Sequence, residues 1–241
     1  MIKTAAKIFA LAFGKPAEDG KIFHPSKTCP ECGSKLSRLI QKDESHESQT
    51  SKDENEDSCN SSLRNEYADW RCPNPDCPAQ IRKRIEHWCS QGAMDIPGGD
   101  AALVAALVGN GLVRDVTELY RLKVREIAAL PGMNKDSAQK FFDAITASMK
   151  RNAWRVLFGL GIPQVGAKEA KSLCRHFAAV DDIFAASAER LMEADDIGEA
   201  VARNIVQWQS DPVNRKLVGR LYKAGVNFKS ELYISPLKNQ S

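Results

Sequence analysis

Four cysteines stand on two short proline-rich turns, Cys29-Pro-Glu-Cys32-Gly33 and Cys72-Pro-Asn-Pro-Asp-Cys77-Pro78. Four thiolates from two turns suit a tetrahedral structural Zn²⁺ with no open position. Such an ion supports folding and performs no reaction. The rival chemistry, a redox dithiol, expects one Cys-x-x-Cys opening a helix in a thioredoxin-like context, and the text around these turns is not of that kind. The chain holds seven cysteines, and this spacing fits a reducing interior better than a disulfide framework. Cys59 has no neighbouring partner or turn motif and reads as free. Cys89 and Cys174 fall at apolar positions of helical text and read as small core residues. His24 and His46 read as bystanders, and His87 and His176 as structural histidines.

The second group able to do chemistry is main-chain rather than side-chain. Leu157-Phe-Gly-Leu-Gly-Ile-Pro-Gln-Val-Gly-Ala-Lys-Glu-Ala-Lys171 reads as helix, tight hairpin, helix, with Gly161 and Gly166 as bends. A helix that starts after such a bend presents unpaired N–H groups and the positive end of its dipole, a seat for a phosphate. The scheme recurs upstream around Pro131-Gly132-Met133, downstream with Gly198 at the bend, and more poorly at Ile96-Pro97-Gly98-Gly99. Repeats every 30 to 37 residues or so mark a repeated supersecondary unit. Lys135 and Lys168 stand where a charge-assisted phosphate contact is expected. Gly132, Met133, Gly161, Ile162, Val165, Gly166 and Gly198 complete the expected DNA-binding set. Asp195, Asp196 and Glu199 surround Gly198 and weaken that copy as a phosphate contact.

These groups need a scaffold, and the text predicts a mainly α one. We expect an N-terminal segment over 1–22, helical or the remnant of an OB-fold, and a four-cysteine finger over 23–80. A solvated acidic insertion occupies 41–68, four helix-hairpin-helix repeats span 81–228, and a frayed tail covers 229–241. Ile81, Ile85 and Trp88 share a helical face opposite Arg82, Lys83 and Glu86. Trp154, Phe158 and Trp208 read as packing residues. The net charge of +3 averages about +5 over 1–42, about −6 over 43–68 and about +4 over 69–241. Mild basicity of the folded parts permits nucleic-acid binding. The apolar run Ile8–Phe13 is too short for a signal peptide or a membrane span, so no membrane partner is expected.

Several stretches carry a family resemblance. Cys-Pro-Glu-Cys-Gly-Ser, Cys-Pro-Asn-Pro-Asp-Cys-Pro-Ala-Gln, Ile-Glu-His-Trp-Cys-Ser-Gln-Gly-Ala-Met-Asp-Ile, Leu-Pro-Gly-Met and Leu-Gly-Ile-Pro-Gln-Val-Gly resemble the carboxy-terminal part of bacterial NAD-dependent DNA ligases. The resemblance runs over about residues 23–228. It implies a zinc finger held by Cys29, Cys32, Cys72 and Cys77, then four hairpins that grip nicked duplex DNA. It also implies a cytoplasmic, nucleoid-associated place in DNA replication and repair. The family's nucleophile motif Lys-x-Asp-Gly is nowhere in these 241 residues, so the chain by itself is not expected to ligate. NAD would be used only with a separate catalytic half. Hairpin one departs at Pro97-Gly98-Gly99-Asp100, and Gln91 stands where a basic residue is usual. Two other readings stay open: the binding subunit of a split nick-joining enzyme, and a zinc-dependent RNA or protein interaction module.

Overall fold

A computed structural model of the chain describes residues 28–38 and 70–234. The expected segment 1–22, His24, His46, the acidic insertion 41–68 with Cys59, and residues 235–241 lie outside the described residues. The chain divides into two compact units, Met1–Gln80 and Ile81–Ser241.

In the first unit the described residues form two turns and a minimal sheet. The chain reverses at Gly33, whose φ of +71° is left-handed and suits a residue without Cβ. Cys29 N–H donates to Ser34 O at 2.7 Å and Gly33 N–H to Cys29 O at 2.8 Å, which closes the turn. Strand β1 (Ser37–Arg38) then pairs antiparallel with β2 (Trp70–Arg71). The second turn closes where Asn74 accepts the Asp76 N–H on its side chain and the Cys77 N–H on its carbonyl. The buried apolar groups here are Cys29, Leu36 and Cys77. That is too little apolar surface to hold the described part of the unit by burial alone.

The second unit is built from helices, with one isolated antiparallel bridge between Ala179 and Lys229 among the described residues. Helix α1 (Pro78–Cys89) leads into it, followed by α2 (Ala101–Gly109), a 3₁₀ turn (Glu118–Arg121), α3 (Val124–Ala128) and α4 (Lys135–Ser148). Next come α5 (Ala153–Gly159), α6 (Ala167–His176), α7 (Val180–Ala185), α8 (Ala188–Leu191), α9 (Glu199–Ser210) and α10 (Pro212–Lys223). α3 packs on α4, α5 on α6, and α9 on both α8 and α10. These helices are short, so their stability comes from tertiary burial rather than propensity. Trp88, Leu107, Ile127, Ile145, Leu157, Leu173, Leu191 and Ile205 are each fully buried in one core.

Several polar groups at that core find partners, while the buried Arg220 Nε has none among the described residues. Trp88 Nε1 donates to Tyr120 Oη at 3.0 Å, and Tyr120 Oη meets Ser148 Oγ at 3.2 Å. Burial pushes the Tyr120 phenol up to about 12 and the Cys89 and Cys174 thiols up to about 12. Half-buried His87 is satisfied by Phe158 O at 2.9 Å, and His176, at the surface, lies 3.6 Å from Glu193. The expectation of a frayed end fails over 229–234. Ser230 N–H donates to Ala178 O at 2.8 Å, Ser230 Oγ to Cys174 O at 2.5 Å, and Ile234 N–H to Arg175 O at 3.0 Å. These bonds tie a polar stretch down where composition alone predicted fraying.

Candidate functional site

The structure brings Cys29, Cys32, Cys72 and Cys77 together, with all four Sγ atoms within 4.8 Å of one another. Cys29 and Cys77 sulfurs are 3.7 Å apart, and those of Cys32 and Cys72 are 3.5 Å apart. A tetrahedral ion with sulfur ligands at about 2.3 Å sets sulfur–sulfur edges of about 3.8 Å, so these residues fit such an ion. Hydrogen bonding with Ser34 draws the Cys32 thiol down to about 6, whereas desolvation pushes Cys72 up to about 12 and raises Cys77. A bound cation would hold all of them as thiolates.

Four hairpins occupy the helical unit, and each is built on one five-residue pattern. Its members are Ile96–Asp100, Leu130–Asn134, Ile162–Gly166 and Ala194–Gly198. The first residue is buried in every copy. The fourth residue's N–H donates back to its carbonyl, at 3.2, 3.1, 3.0 and 3.3 Å in chain order. The third residue is left-handed each time: Gly98 at +87°, Gly132 at +79°, Gln164 at +61° and Asp196 at +63°. Proline precedes it in three copies and Asp195 in the fourth, the pattern of a type II turn. The fifth residue is the N-cap of α2, α4, α6 or α9.

This register corrects two readings of the sequence. Gly166 and Gly198 are N-caps with ordinary extended backbone, φ −83° and −86°, rather than bends. The structural counterparts of Gly132 are Gln164 and Asp196, two residues earlier. Lys135 and Lys168 are accordingly not equivalent, being the first residue of α4 and the second of α6. The side chains of Ile162 and Val165 are buried in the core, which leaves only their backbone to face a ligand. Met133 is half-buried, while Gly132, Lys135, Gly161, Lys168 and Gly198 are exposed.

The N-caps divide the hairpins into two kinds. Asp100 Oδ1 accepts the Leu103 N–H at 2.9 Å, and Asn134 Oδ1 accepts the Ser137 N–H at 2.8 Å. Gly166 and Gly198 have no side chain to accept anything, so the first turns of α6 and α9 keep their amides for an outside acceptor. Glu169 accepts the N–H of Gly166 itself at 2.9 Å. Lys168 Nζ donates to Asp196 Oδ1 at 2.8 Å, and this bond pushes the ammonium pKa up. Asn204 Nδ2 donates to Pro163 O and Gln164 Oε1, both at 3.2 Å, and Ser172 Oγ donates to Asp195 O. Composition gave no hint of Asn204 or Ser172. Their signal is positional, since each is the sixth residue after a glycine N-cap.

The fold and the cysteine cluster define a tandem helix-hairpin-helix protein with a small four-cysteine module. A family model of the SAM-like helix-hairpin-helix tandem matches residues 92–144, and one of the helix-hairpin-helix motif matches residues 155–218. The matches divide the four hairpins into the same two pairs as their caps. Among curated relatives, the DNA ligase of Koribacter versatilis is 36% identical over 209 residues, covering 87% of this chain and 27% of the relative. That of Methylacidiphilum infernorum is 41% identical over 175 residues, covering 73% of this chain and 25% of the relative. A Synechococcus DNA ligase is 43% identical over 156 residues, or 65% of this chain and 23% of the relative. The chain fits the carboxy-terminal part of a bacterial DNA ligase, and spans about a quarter of the length of the relatives it matches. No helix among the described residues is long and apolar enough to cross a membrane.

Proposed function

We propose that this chain binds duplex DNA through its phosphate backbone, with preference for nicks, as the DNA-gripping part of an NAD-dependent DNA ligase-like protein. The observation that carries this reading is the first turn of α6, a helix of 10 residues. Its glycine N-cap leaves main-chain donors open, Lys168 adds a cation, and a β-turn of the same form recurs at three further helix starts. Main-chain amides and a lysine read no base, so contacts of this kind fix position on the duplex without choosing a sequence. Two hairpins held as a pair can engage both strands.

The 241 residues contain no Lys-x-Asp-Gly tetrapeptide. Adenylation and nick sealing, with their NAD, would therefore be the work of a catalytic half, whether joined to these residues or separate from them. A chain with this role works in the cytoplasm on nucleoid DNA. In the finger we assign Zn²⁺ to Cys29, Cys32, Cys72 and Cys77, where it substitutes for a hydrophobic core. Cys29→Ser is expected to abolish stoichiometric zinc and the fold of the finger, as read by metal analysis and circular dichroism. Retention of one zinc per chain in that variant would overturn the four-ligand assignment.

The function itself is tested by titrating the purified chain against nicked and intact duplexes of one sequence. Tighter binding to the nick supports the reading. Equal binding to both removes the nick preference, and binding to neither removes DNA as the partner.

A further inference from the structure

Hairpins three and four solve a problem that hairpins one and two do not have. Hairpins one and two place glycine at the left-handed position, where a residue lacking Cβ sits without strain. Hairpins three and four place Gln164 and Asp196 there. Aspartate is tolerated in that region, but glutamine gains little from local bonds and meets the full steric penalty. Something outside the turn has to hold Gln164 in place.

The holding groups come from the opposite hairpin, and reciprocally. Asn204 on α9 reaches into the third hairpin's turn, donating to Pro163 O and Gln164 Oε1 at 3.2 Å each. Ser172 on α6 reaches into the fourth hairpin's turn and donates to Asp195 O. Both donors occupy the sixth position after the N-cap, and Pro163 and Asp195 occupy the same position of their turns. Lys168 also crosses, in an exposed ion pair with Asp196 at 2.8 Å that is separate from these three bonds. The corresponding residues of hairpins one and two are Ala106, which has no side-chain donor, and Lys140.

The geometry points to Asn204 and Ser172 as positioning residues: they form a crossed clasp that fixes the two turns, and hence the open amides of α6 and α9, as one phosphate-facing unit. This rests on the DNA-binding reading for its purpose, though not for its existence. In the clasp the tertiary bonds replace the glycines that the other two hairpins use. Each hairpin is thereby set by its neighbour.

Rescue separates this role from ordinary structural support. Asn204→Ala should speed hydrogen exchange in the peptide covering 162–169 by about fivefold, the loss expected from one or two hydrogen bonds, while α4 remains protected. It should weaken binding to nicked duplex by roughly three- to tenfold. Adding Gln164→Gly should restore both measurements, because glycine holds the left-handed turn unaided. Ser172→Ala should raise exchange over 194–200 in the same way. Unchanged exchange in Asn204→Ala, a loss of protection spread over the whole unit, or failure of Gln164→Gly to rescue would each overturn the clasp. If the wild-type chain binds no duplex, the DNA reading falls, and the exchange measurements still decide the clasp.

Discussion

Hairpins one and two and hairpins three and four use the same turn with its two special positions exchanged. In the first pair glycine is left-handed and an acid or amide caps the helix: Gly98 with Asp100, and Gly132 with Asn134. In the second pair an amide or acid is left-handed and glycine is the cap: Gln164 with Gly166, and Asp196 with Gly198. The first arrangement is self-sufficient. A capping side chain satisfies a first-turn amide and stabilises its helix by about 1 kcal/mol. The second gives up that cap, leaves its amides open and depends on bonds from the neighbouring hairpin. Stability is built into one pair, and availability to a ligand into the other.

The largest expected effect comes from converting one kind into the other. Gly166→Asp would supply a cap for the amides of α6 and set a negative charge where phosphate should bind. An added Cβ meets the flexible end of Glu169 at 2.7 Å, which can move aside. Affinity for DNA should fall by about tenfold or more across all sequences alike, with little change in thermal midpoint. A loss confined to particular sequences would contradict backbone recognition. The reverse experiment is Asn134→Ala, which removes the bond to the Ser137 N–H. Denaturant unfolding should show a cost of about 1 kcal/mol, and DNA affinity should change less than twofold, roughly. A comparable loss of affinity there would erase the distinction between the pairs.

A smaller effect tests the acidic character of hairpin four. Asp196→Asn keeps a residue suited to left-handed backbone and frees Lys168 from its exposed carboxylate partner. Affinity should rise by roughly two- to fivefold, in keeping with the modest worth of a surface pair. A fall would mean that Asp196 orients the lysine rather than competing for it.

A separate effect is common to both pairs, since Cys89 lies against Gly99 of hairpin one and Cys174 is buried on α6 of hairpin three. Burial raises both from an ordinary 9.0 to about 12. The folded state therefore keeps protons that the unfolded chain releases, and stability should decline as pH rises from about 9 to about 12. Cys89→Ala or Cys174→Ala should each flatten that decline in the thermal midpoint, and an unaltered slope would show that these thiols do not set it.

Much of this was legible in the residues. The cysteine cluster followed from spacing, because two cysteines on one tight turn are necessarily close. The hairpins followed from apolar periodicity interrupted by glycine and proline. Their register was less accessible, since glycine serves two unrelated purposes here. Gly132 is needed for its left-handed φ, while Gly166 and Gly198 are N-caps in extended backbone, and aligning all three as bends shifts the second pair by two residues. Nor could local text show that Gln164 is left-handed, because the bond from Asn204 spans 40 residues. The ordering of 229–234 escaped for the same reason. Its partners, Ala178, Cys174 and Arg175, are distant in the chain.

Recognition of the phosphate backbone by open amides and lysine is tested most directly by a salt titration. Affinity for two nicked duplexes of unrelated sequence should fall linearly in a log–log plot, with the same slope of about −0.9 for each phosphate contacted. Affinity that is flat in salt, or that differs markedly between the two sequences, would contradict the account.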